Sequence, residues 1–202
     1  MKNLLFKLLV AWSTISATNA QVSEKKPVYF SNELLLGNYG LGVDFNLNYI
    51  TDNLYSFRIG VSGVTRWAKS TPDDYYGGIG GLLVGSYPNE QMGSLQMQVG
   101  KVFNLVKSRK VRVNLSAGLA LSRYRRPSNW VKDYNYNAPL APNYNWNYQF
   151  FNTVSFVLNP RIEFPFGRIY GLNVSPLILV NPHTIYYGIG IGHLIGRLKR
   201  DL

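Results

Sequence analysis

The chain has 202 residues, enough for one domain or a single mid-sized barrel. Charged residues make up only 15% of it, well below the roughly 25% of an ordinary soluble domain, and no apolar run after the N-terminus could cross a bilayer as a helix. Cys is absent, which excludes a disulfide framework, a thiolate nucleophile and a Cys-based metal site.

The first 20 residues have the pattern of a cleaved secretory signal peptide. Lys2 and Lys7 supply positive charge, residues 8–15 are mostly apolar, and Thr18-Asn19-Ala20 offers a small-residue cleavage site. An N-terminal helix of the folded domain is the alternative. Removal of the segment lowers the formal net charge from +11 to +9. Because this basic surplus belongs to a secreted chain without long Lys/Arg runs, we expect it to meet anionic lipid or glycan, or to serve solubility alone, and we expect no nucleic acid.

Residues 21–38 are predicted to be a polar leader and a lead-in segment, because Val28–Leu36 is apolar but alternates poorly. The next stretch alternates clearly. In Tyr39–Ile50 apolar residues occupy one parity and Gly, Asp and Asn the other, and Leu54–Trp67 repeats the pattern. Side chains alternate across a strand, and Thr51-Asp52-Asn53 suits a tight turn, so the two segments are predicted to form an antiparallel hairpin.

Further alternating segments bring the prediction to eight strands, the pattern of an all-β meander. They are Tyr76–Tyr87, Ser94–Leu105, Val111–Tyr124, Phe150–Pro165, Ile169–Leu179 and Thr184–Leu198. Residues 125–149, rich in Pro, Asn, Tyr and Trp, form the one long loop. If Val28–Leu36 also crosses the membrane and another break is hidden, ten strands become possible.

The polar parity of the strands indicates which face meets lipid. It is mostly Gly, Ser, Asn, Gln and Thr, which suits a narrow lumen filled by side chains rather than a water-exposed wall. The apolar parity carries aliphatic residues at mid-strand and aromatic residues toward the ends, as bilayer-facing strands do. These predicted girdle residues are Tyr39, Tyr49, Trp67 and Tyr87. We therefore predict a transmembrane barrel; a soluble secreted barrel for small apolar ligands is the alternative.

From Tyr39 to Leu198 the chain resembles the small outer-membrane β-barrels of the OmpA and OmpX type. The signal peptide, the eight alternating segments and the Gly-punctuated last strand YYGIGIGHLIGRL carry this resemblance. It implies an antiparallel up-and-down transmembrane β-barrel over residues 39–202 in the outer membrane of a Gram-negative bacterium, but no particular activity. The chain departs from the family in its ending, Lys199-Arg200-Asp201-Leu202, since such barrels commonly end on an aromatic residue.

Strand counting predicts the sides of the loops. With both termini in the periplasm, counting back from the C-terminus places loop 125–149 outside the cell, where barrels keep their longer loops. The same count places Ala68–Tyr75 inside, where it is long for a periplasmic turn.

Charged residues on the polar parity are predicted to form an ion network in the lumen, because buried charges must be matched. They are Asp44, Arg58, Arg66, Arg112, Arg161 and Glu163. We expect the network to be a structural plug that seals a narrow barrel; a narrow conducting pore is the alternative. No cofactor is predicted, and no metal, because two His and scattered acids lack ligand spacing.

The long loop carries aromatic and basic residues that suit stacking on sugars or binding of anionic groups. They are Arg125, Arg126, Trp130, Tyr134, Tyr136, Tyr144 and Trp146. Alternatively, the aromatic residues merely extend the outer girdle. Arg125 and Arg126 lie near the predicted outer interface, so their guanidinium groups could meet the phosphates of lipopolysaccharide.

Two His bear on a possible enzyme. His183 lies in a predicted loop with Ser175 a strand away, and outer-membrane lipid hydrolases of the lipid A deacylase or phospholipase kind use a His–Ser pair oriented by an acid. No G-x-S-x-G elbow is present. His193 falls on the lipid-facing parity near a strand end. We predict a non-enzymatic, monomeric barrel with a structural or surface-interaction role; a lipid-modifying enzyme and a narrow porin remain the alternatives.

Overall fold

The structure, a computed structural model, describes residues 26–79, 87–105, 110–137 and 140–199. The predicted signal peptide, residues 1–20, lies outside these described residues. Within them, no helix is long and apolar enough to cross a membrane.

The described chain forms one antiparallel sheet of nine strands. The strands are β1 (Val28–Gly37), β2 (Gly40–Ile50), β3 (Tyr55–Trp67), β4 (Asn89–Asn104), β5 (Arg112–Lys132), β6 (Tyr144–Leu158), β7 (Arg161–Pro165), β8 (Tyr170–Asn181) and β9 (Thr184–Arg197). β1 pairs with β2 on one side and with β9 on the other, so the sheet closes on itself. Closure removes the unpaired edges that an open sheet would present.

β6 and β7 together occupy one position in the ring. Both pair with β5 and β8, and the register is unbroken: Ala117 faces Leu158 of β6, and Asn114 faces Arg161 of β7. The interruption falls at residues 159–160, where Pro160 has no N–H to donate to a ladder. The barrel is therefore an eight-position, up-and-down ring, which confirms the predicted fold class.

The apolar face of the barrel points outward, as predicted. Leu41 and Ile189 each expose 55% of their surface and Phe45 exposes 50%, whereas a soluble barrel would bury such residues in its core. The inward positions of the same strands carry mainly polar and small residues. Strands of 10 or more residues, apart from the short β7 that continues β6, are long enough to cross a bilayer at a tilt.

Side chains fill the lumen in three layers. At one end is an apolar and aromatic cluster made of Leu35, Tyr39, Val64, Met92, Ala120, Tyr124, Val157, Leu177, Leu179 and Tyr186. At the other end is a smaller apolar cluster made of Tyr29, Ile50, Val102, Leu194 and Leu198. Buried polar and charged side chains lie between them. The two apolar clusters thus stand between the polar middle layer and water.

The prediction of a lead-in segment at residues 21–38 is wrong for its second half, which is strand β1, and the barrel begins at Val28 rather than at residue 39. Tyr29 and Leu35 point inward beside Ser31 and Glu33, while Asn32 points outward. This mixture of apolar and polar residues on both faces hid the alternation.

The predicted strand Tyr76–Tyr87 is also wrong where the structure describes it. β3 pairs directly with β4, so residues 68–88 connect two neighbouring strands. Gly78 has a φ of 64°, a left-handed conformation that a strand does not contain and that Gly adopts readily. Residues 80–86 lie outside the described part of the chain. At residues 76–79, the described start of the segment, the Gly-rich composition imitated a period of two where the structure has no strand.

The predicted long loop 125–149 is mostly strand. β5 continues to Lys132 and β6 begins at Tyr144, so the connection spans only residues 133–143. The pairing of β5 with β4 ends at Arg125, and Pro127 therefore lies on an edge, where Pro is tolerated. The Pro, Asn and aromatic residues that suggested a loop belong to a hairpin that projects beyond the rest of the barrel.

The corrected strand order also changes the side predicted for residues 68–75. Both long connections, 68–88 and 133–143, lie at the same end of the barrel. The short connections 51–54, 105–111 and 166–169 lie at the other end with both termini of the described chain. The prediction that residues 68–75 lie on the opposite side of the membrane from the β5–β6 connection is therefore wrong.

Candidate functional site

Arg161 is the centre of the charged layer in the lumen. It is fully buried, and its Nη2 lies 2.5 Å from Oε1 of Glu33. Its Nη1 donates to Oγ of Ser31 at 2.8 Å and lies 4.0 Å from Oε1 of Glu163. β1 and β7 supply these groups from almost opposite sides of the ring, so the ion pair ties the two walls together across the lumen.

Glu163 forms a second ion pair below the first. Its Oε2 lies 2.6 Å from Nε of Arg112, and its Oε1 accepts a hydrogen bond from the hydroxyl of Tyr29 at 2.9 Å. Arg112 also donates from Nη1 to the carbonyl of Leu198 at 2.7 Å, which ties the end of β9 to the lumen. Removing one partner of such a buried pair leaves an uncompensated charge and typically costs about 3–5 kcal/mol.

Asp44 and Arg58 are held by amides rather than by direct ion pairs. Asp44 accepts hydrogen bonds from Nδ2 of Asn46 at 2.7 Å and Nε2 of Gln96 at 2.6 Å. Arg58 donates to the side-chain oxygens of three residues, at 3.0 Å to Asn48 and 3.3 Å to Gln98. The third of them is Asn159, which follows β6 at the interruption of the wall. These amides account for the many Asn and Gln on the inward parity.

Arg66 belongs to the outer end of the lumen rather than to the central network. Its Nη2 lies 2.5 Å from Oε2 of Glu90, and its guanidinium lies 3.7 Å from the centre of the Tyr39 ring. Tyr39 is buried and its hydroxyl lies 2.9 Å from Oγ1 of Thr184, so the prediction that Tyr39 is a lipid-facing girdle residue is wrong. The tight turn before Gly40 reverses the parity of this side chain.

Sequence reasoning missed two lumenal acids, Glu33 and Glu90. The structure brings together five of the six predicted charged residues in the central network, and Glu33 joins them there. Glu90 pairs with the sixth, Arg66, at the outer end of the lumen. Within the described lumen, four Arg therefore face four acids. The predicted set had an excess of Arg, and because buried charges must be matched, that excess was a signal that further acids faced inward.

The end of the barrel that carries the long connections is built around an aromatic cluster. Trp130 lies 5.4 Å from Trp146 and 6.2 Å from Tyr144 between ring centres, and Tyr75 lies 6.0 Å from both Trp rings. Tyr75 belongs to connection 68–88, which thus packs on the projecting β5–β6 hairpin. The predicted residues Trp130, Tyr144 and Trp146 are brought together, but their rings are in contact with one another.

Polar contacts fix the same packing. Asp74 accepts hydrogen bonds from Nζ of Lys132 at 2.5 Å and from the hydroxyl of Tyr144 at 2.7 Å. These two hydrogen bonds, the Lys132 bond first, lower the pKa of the Asp74 carboxyl. Asn143 donates from Nδ2 to the carbonyl of Asp74 at 2.8 Å. We call residues 68–79, 127–137 and 140–148 the cap.

Two predicted loop residues lie apart from the aromatic cluster. Tyr134 exposes 83% of its surface, and Tyr136 lies 6.3 Å from the ring of Tyr76.

Arg125 and Arg126 point to opposite sides of the barrel wall. Arg125 faces outward, donates from Nη2 to Oδ1 of Asn89 at 2.7 Å and lies 4.2 Å from the Tyr148 ring centre. Arg126 faces the mouth of the lumen, 5.0 Å from the Phe151 ring. The outward neighbour of Arg125 is Arg123. Since successive residues of a strand face opposite ways, the predicted pair does not form one binding site.

Arg123 and Arg125 form a pair on the outer wall. Arg123 is exposed and lies 4.5 Å from the Phe150 ring centre. The two Arg are two residues apart on one face, a spacing of about 7 Å. In the described part of the chain, neither has a carboxylate within ion-pair distance. Two guanidinium groups without a protein acid at this end of the barrel suit a bound phosphate.

The two His do not form a hydrolase site. His183 is exposed in the turn after β8 and lies 5.1 Å from the Phe151 ring centre. Ser175 is buried, donates to Oε2 of Glu33, and lies about 20 Å of strand below the turn. His193 faces outward, as predicted, with Nδ1 2.8 Å from the hydroxyl of Tyr170. The described residues include no cluster of three or more His or acids that could hold a metal.

The fold is similar to those of solved outer-membrane barrels. Neisserial surface protein A has a TM-score of 0.54 and 10% identity over 86% of this chain and 99% of that chain. The N-terminal β-barrel domain of Pseudomonas aeruginosa OprF has a TM-score of 0.47 and 10% identity over 85% and 98%. Ail, the attachment invasion locus protein of Yersinia pestis, was solved with the heparin analogue sucrose octasulfate. It has a TM-score of 0.46 and 8% identity over 85% of this chain and 95% of that chain.

No family model and no curated protein sequence matches the chain. At these identities the structural similarity concerns the fold and carries no function with it. The closed ring and the outward apolar face are the features of barrels that cross the outer membrane with their strands. The chain has the fold of the small outer-membrane β-barrels, and it is a transmembrane protein of the Gram-negative outer membrane.

Proposed function

We propose that the chain is a sealed, non-enzymatic, monomeric barrel that acts at the cell surface through its extracellular end. The observation that carries the first part is the filling of the lumen. In its middle layer three Arg are balanced by three acids, and apolar clusters lie above and below this layer. A charged, water-filled path would leave such pairs hydrated and separated, whereas Arg161 and Glu33 are in contact and fully buried.

Conductance tests the sealed lumen. Purified protein in planar bilayers should show no sizeable, steady conductance, because side chains occupy the barrel axis at three levels. Protein-free detergent at the same dilution is the control for leaks. A large channel with regular opening steps would contradict the proposal and favour a porin.

The cap supports the second part. Its aromatic cluster and the Asp74–Lys132 ion pair hold the connection 68–79 on the β5–β6 hairpin. Functional loops are commonly presented by such a rigid scaffold. The cap therefore provides an ordered surface, with Tyr134 exposed at its tip, for contacts with groups outside the cell.

The wall pair Arg123 and Arg125 supplies the partner chemistry. It lies at the extracellular end of the barrel wall, where phosphorylated glycolipid forms the outer leaflet. Planar guanidinium groups match phosphate oxygens in pairs of hydrogen bonds. The proposed partner is therefore the phosphate of lipopolysaccharide. This assignment moves the predicted contact from Arg125 and Arg126 to the two Arg that share the outward face.

Glycolipid binding tests this partner. After purification in mild detergent, the amount of lipopolysaccharide bound to Arg123→Ala/Arg125→Ala should be about fivefold lower than that bound to the unaltered protein. Arg126→Ala, which removes a neighbouring charge facing the mouth, is the matched control and should retain the normal amount. Equal retention by all three proteins would contradict the proposal.

A further inference from the structure

The outer wall has a groove directly beside the Arg pair. Its floor is formed by Gly63 of β3 and Gly93 of β4, which face each other in the register and both point outward. A Cβ built on Gly63 would meet nothing within 4 Å, and one on Gly93 would meet only the carbonyl of Ser62 at 4.0 Å. Neither Gly has a positive φ, so the backbone does not require Gly at either position. The missing side chains create space on the lipid-facing surface.

Apolar side chains border this space on one side. Leu34, Leu41 and Val43 line it, and its volume is about 440 Å³. This lies within the range of roughly 300–1,000 Å³ that is common for small-ligand sites. A smooth apolar depression of this kind fits a hydrocarbon chain, because burial of apolar surface is non-directional and needs no polar partner.

The other side of the groove is polar and basic. Arg123 is the β5 partner of Gly93, and Arg125 is the partner of Gln91, which itself lines the groove. Neighbouring positions across an antiparallel pair are about 5 Å apart. The backbone positions of the two Arg therefore lie one strand spacing from the groove, and Arg125 reaches toward β4, where its Nη2 donates to Asn89. Headgroup and chain contacts of a single lipid can be made at the same time.

A second hollow on the lipid-facing wall differs in one respect. It is lined by Leu47, Phe57, Met97, Ala117 and other residues, and its volume is about 780 Å³. Arg58 is the single charged residue in its lining, and that side chain is buried and directed into the lumen. It can contact acyl chains but offers no outward charge for a headgroup. Of these two hollows, only the Gly63–Gly93 groove has both an apolar lining and outward-facing Arg residues beside it.

We infer that the groove over Gly63 and Gly93 seats one acyl chain of the phosphorylated glycolipid whose phosphate binds Arg123 and Arg125. The inference rests on the proposed lipopolysaccharide contact and deepens it, because it makes lipid recognition bipartite. The Arg pair selects for a phosphate, and the groove selects for an acyl chain attached close to that phosphate.

The test fills the groove. Gly63→Leu/Gly93→Leu places two side chains into space that is open in the structure, and Leu is no worse than Gly in a strand. Ala117→Leu fills the other hollow and is the matched control. Native mass spectrometry would measure bound purified lipid A with its phosphates, the same lipid without phosphates, and phosphatidylglycerol. Heat-modifiable gel migration would check that every variant is folded.

We expect the double Gly variant to bind phosphorylated lipid A about tenfold more weakly, with Ala117→Leu unchanged and dephosphorylated lipid A weak for every protein. If the double Gly variant and Ala117→Leu bind phosphorylated lipid A with equal affinity, the groove is not the acyl-chain site and the inference is overturned. A new oligomeric state of the double Gly variant would also overturn the inference, since the surface would then contact a second copy.

Two further outcomes concern the partner itself. If Arg123→Ala/Arg125→Ala binds lipid A normally, the proposed function fails. If the unaltered protein binds phosphatidylglycerol as tightly as lipid A, the occupant of the groove is not the glycolipid.

Discussion

Arginines inside the barrel and arginines on its outer wall are held in different ways. In the lumen, Arg161 and Arg112 each contact a carboxylate, at 2.5 Å and 2.6 Å. On the wall, Arg123 and Arg125 lie over aromatic rings at 4.5 Å and 4.2 Å and have no acid within ion-pair distance in the described chain. The ring positions a guanidinium without neutralising it. The lumenal charges are therefore committed to structure, and the wall charges remain available to a ligand.

This difference has an energetic consequence. A charge that is buried and paired is expensive to unpair, because the remaining partner cannot be hydrated. A charge at the interface can be removed at little cost to stability, since water and lipid headgroups surround it. Substitutions in the lumen should therefore affect folding, and substitutions on the wall should affect lipid binding.

The largest effect is expected for Arg161→Met. It leaves Glu33 and Glu163 buried with one cation fewer, and unfolding of the barrel should become easier by about 3–5 kcal/mol. Urea unfolding in detergent micelles, followed by heat-modifiable gel migration, measures the change. Arg161→Met combined with Glu33→Leu should recover part of the loss. A loss below about 1 kcal/mol in the single variant would show that water reaches the network.

Tyr29→Phe should have a smaller effect. It removes one hydrogen bond to the carboxylate of Glu163 but keeps the ring and the ion pair with Arg112. Hydrogen bonds to charged groups contribute about 1.5–3 kcal/mol, so a loss near the lower limit is expected. The same urea assay measures it. A loss as large as that of Arg161→Met would mean that the Tyr29 hydroxyl, rather than the ion pair, holds Glu163.

The fold class could be predicted because a period of two is visible wherever one face of a strand carries apolar side chains and the other carries small, polar ones. It failed at β1, where Tyr29 and Leu35 face the lumen with Glu33, since the apolar layers at the ends of the lumen break the inside-polar pattern. It also failed at Gly77 and Gly78, because Gly satisfies either face. Alternation reports the environment of a residue only when the two environments differ.

The candidate sites were predictable to a different degree. Arg112, Arg161 and Glu163 could be assigned to the lumen by parity, because the register continues unchanged across the interruption at residues 159–160. The structure separates Arg125 from Arg126, because neighbours in the sequence of a strand face opposite ways. The groove at Gly63 and Gly93 could not be found at all. Those residues are 30 positions apart, and only the β3–β4 register brings them together.

A smaller effect on stability is expected on the wall. Arg125→Met removes a guanidinium that contacts Tyr148 and Asn89 but pairs with no acid in the described chain. The free energy of unfolding should change by less than about 1 kcal/mol. Urea unfolding beside Arg161→Met provides a direct comparison of the two regions. A loss similar to that of Arg161→Met would erase the distinction between lumenal and wall arginines.

The smallest effect concerns the cap and depends on pH. The Lys132 and Tyr144 hydrogen bonds lower the pKa of Asp74, so the folded carboxyl titrates below its unfolded value. The contribution to cap stability is then fully present above the unfolded value of about 3.9, and it is lost as the pH falls through the lower folded pKa. Trp130 and Trp146 report the state of the cap, because Tyr75 packs against both rings. Their fluorescence should shift in acid in the unaltered protein, while Asp74→Asn should show the shifted emission at neutral pH and no acid step. An acid step that persists in Asp74→Asn would assign the transition to another group and leave the cap held by its aromatic contacts alone.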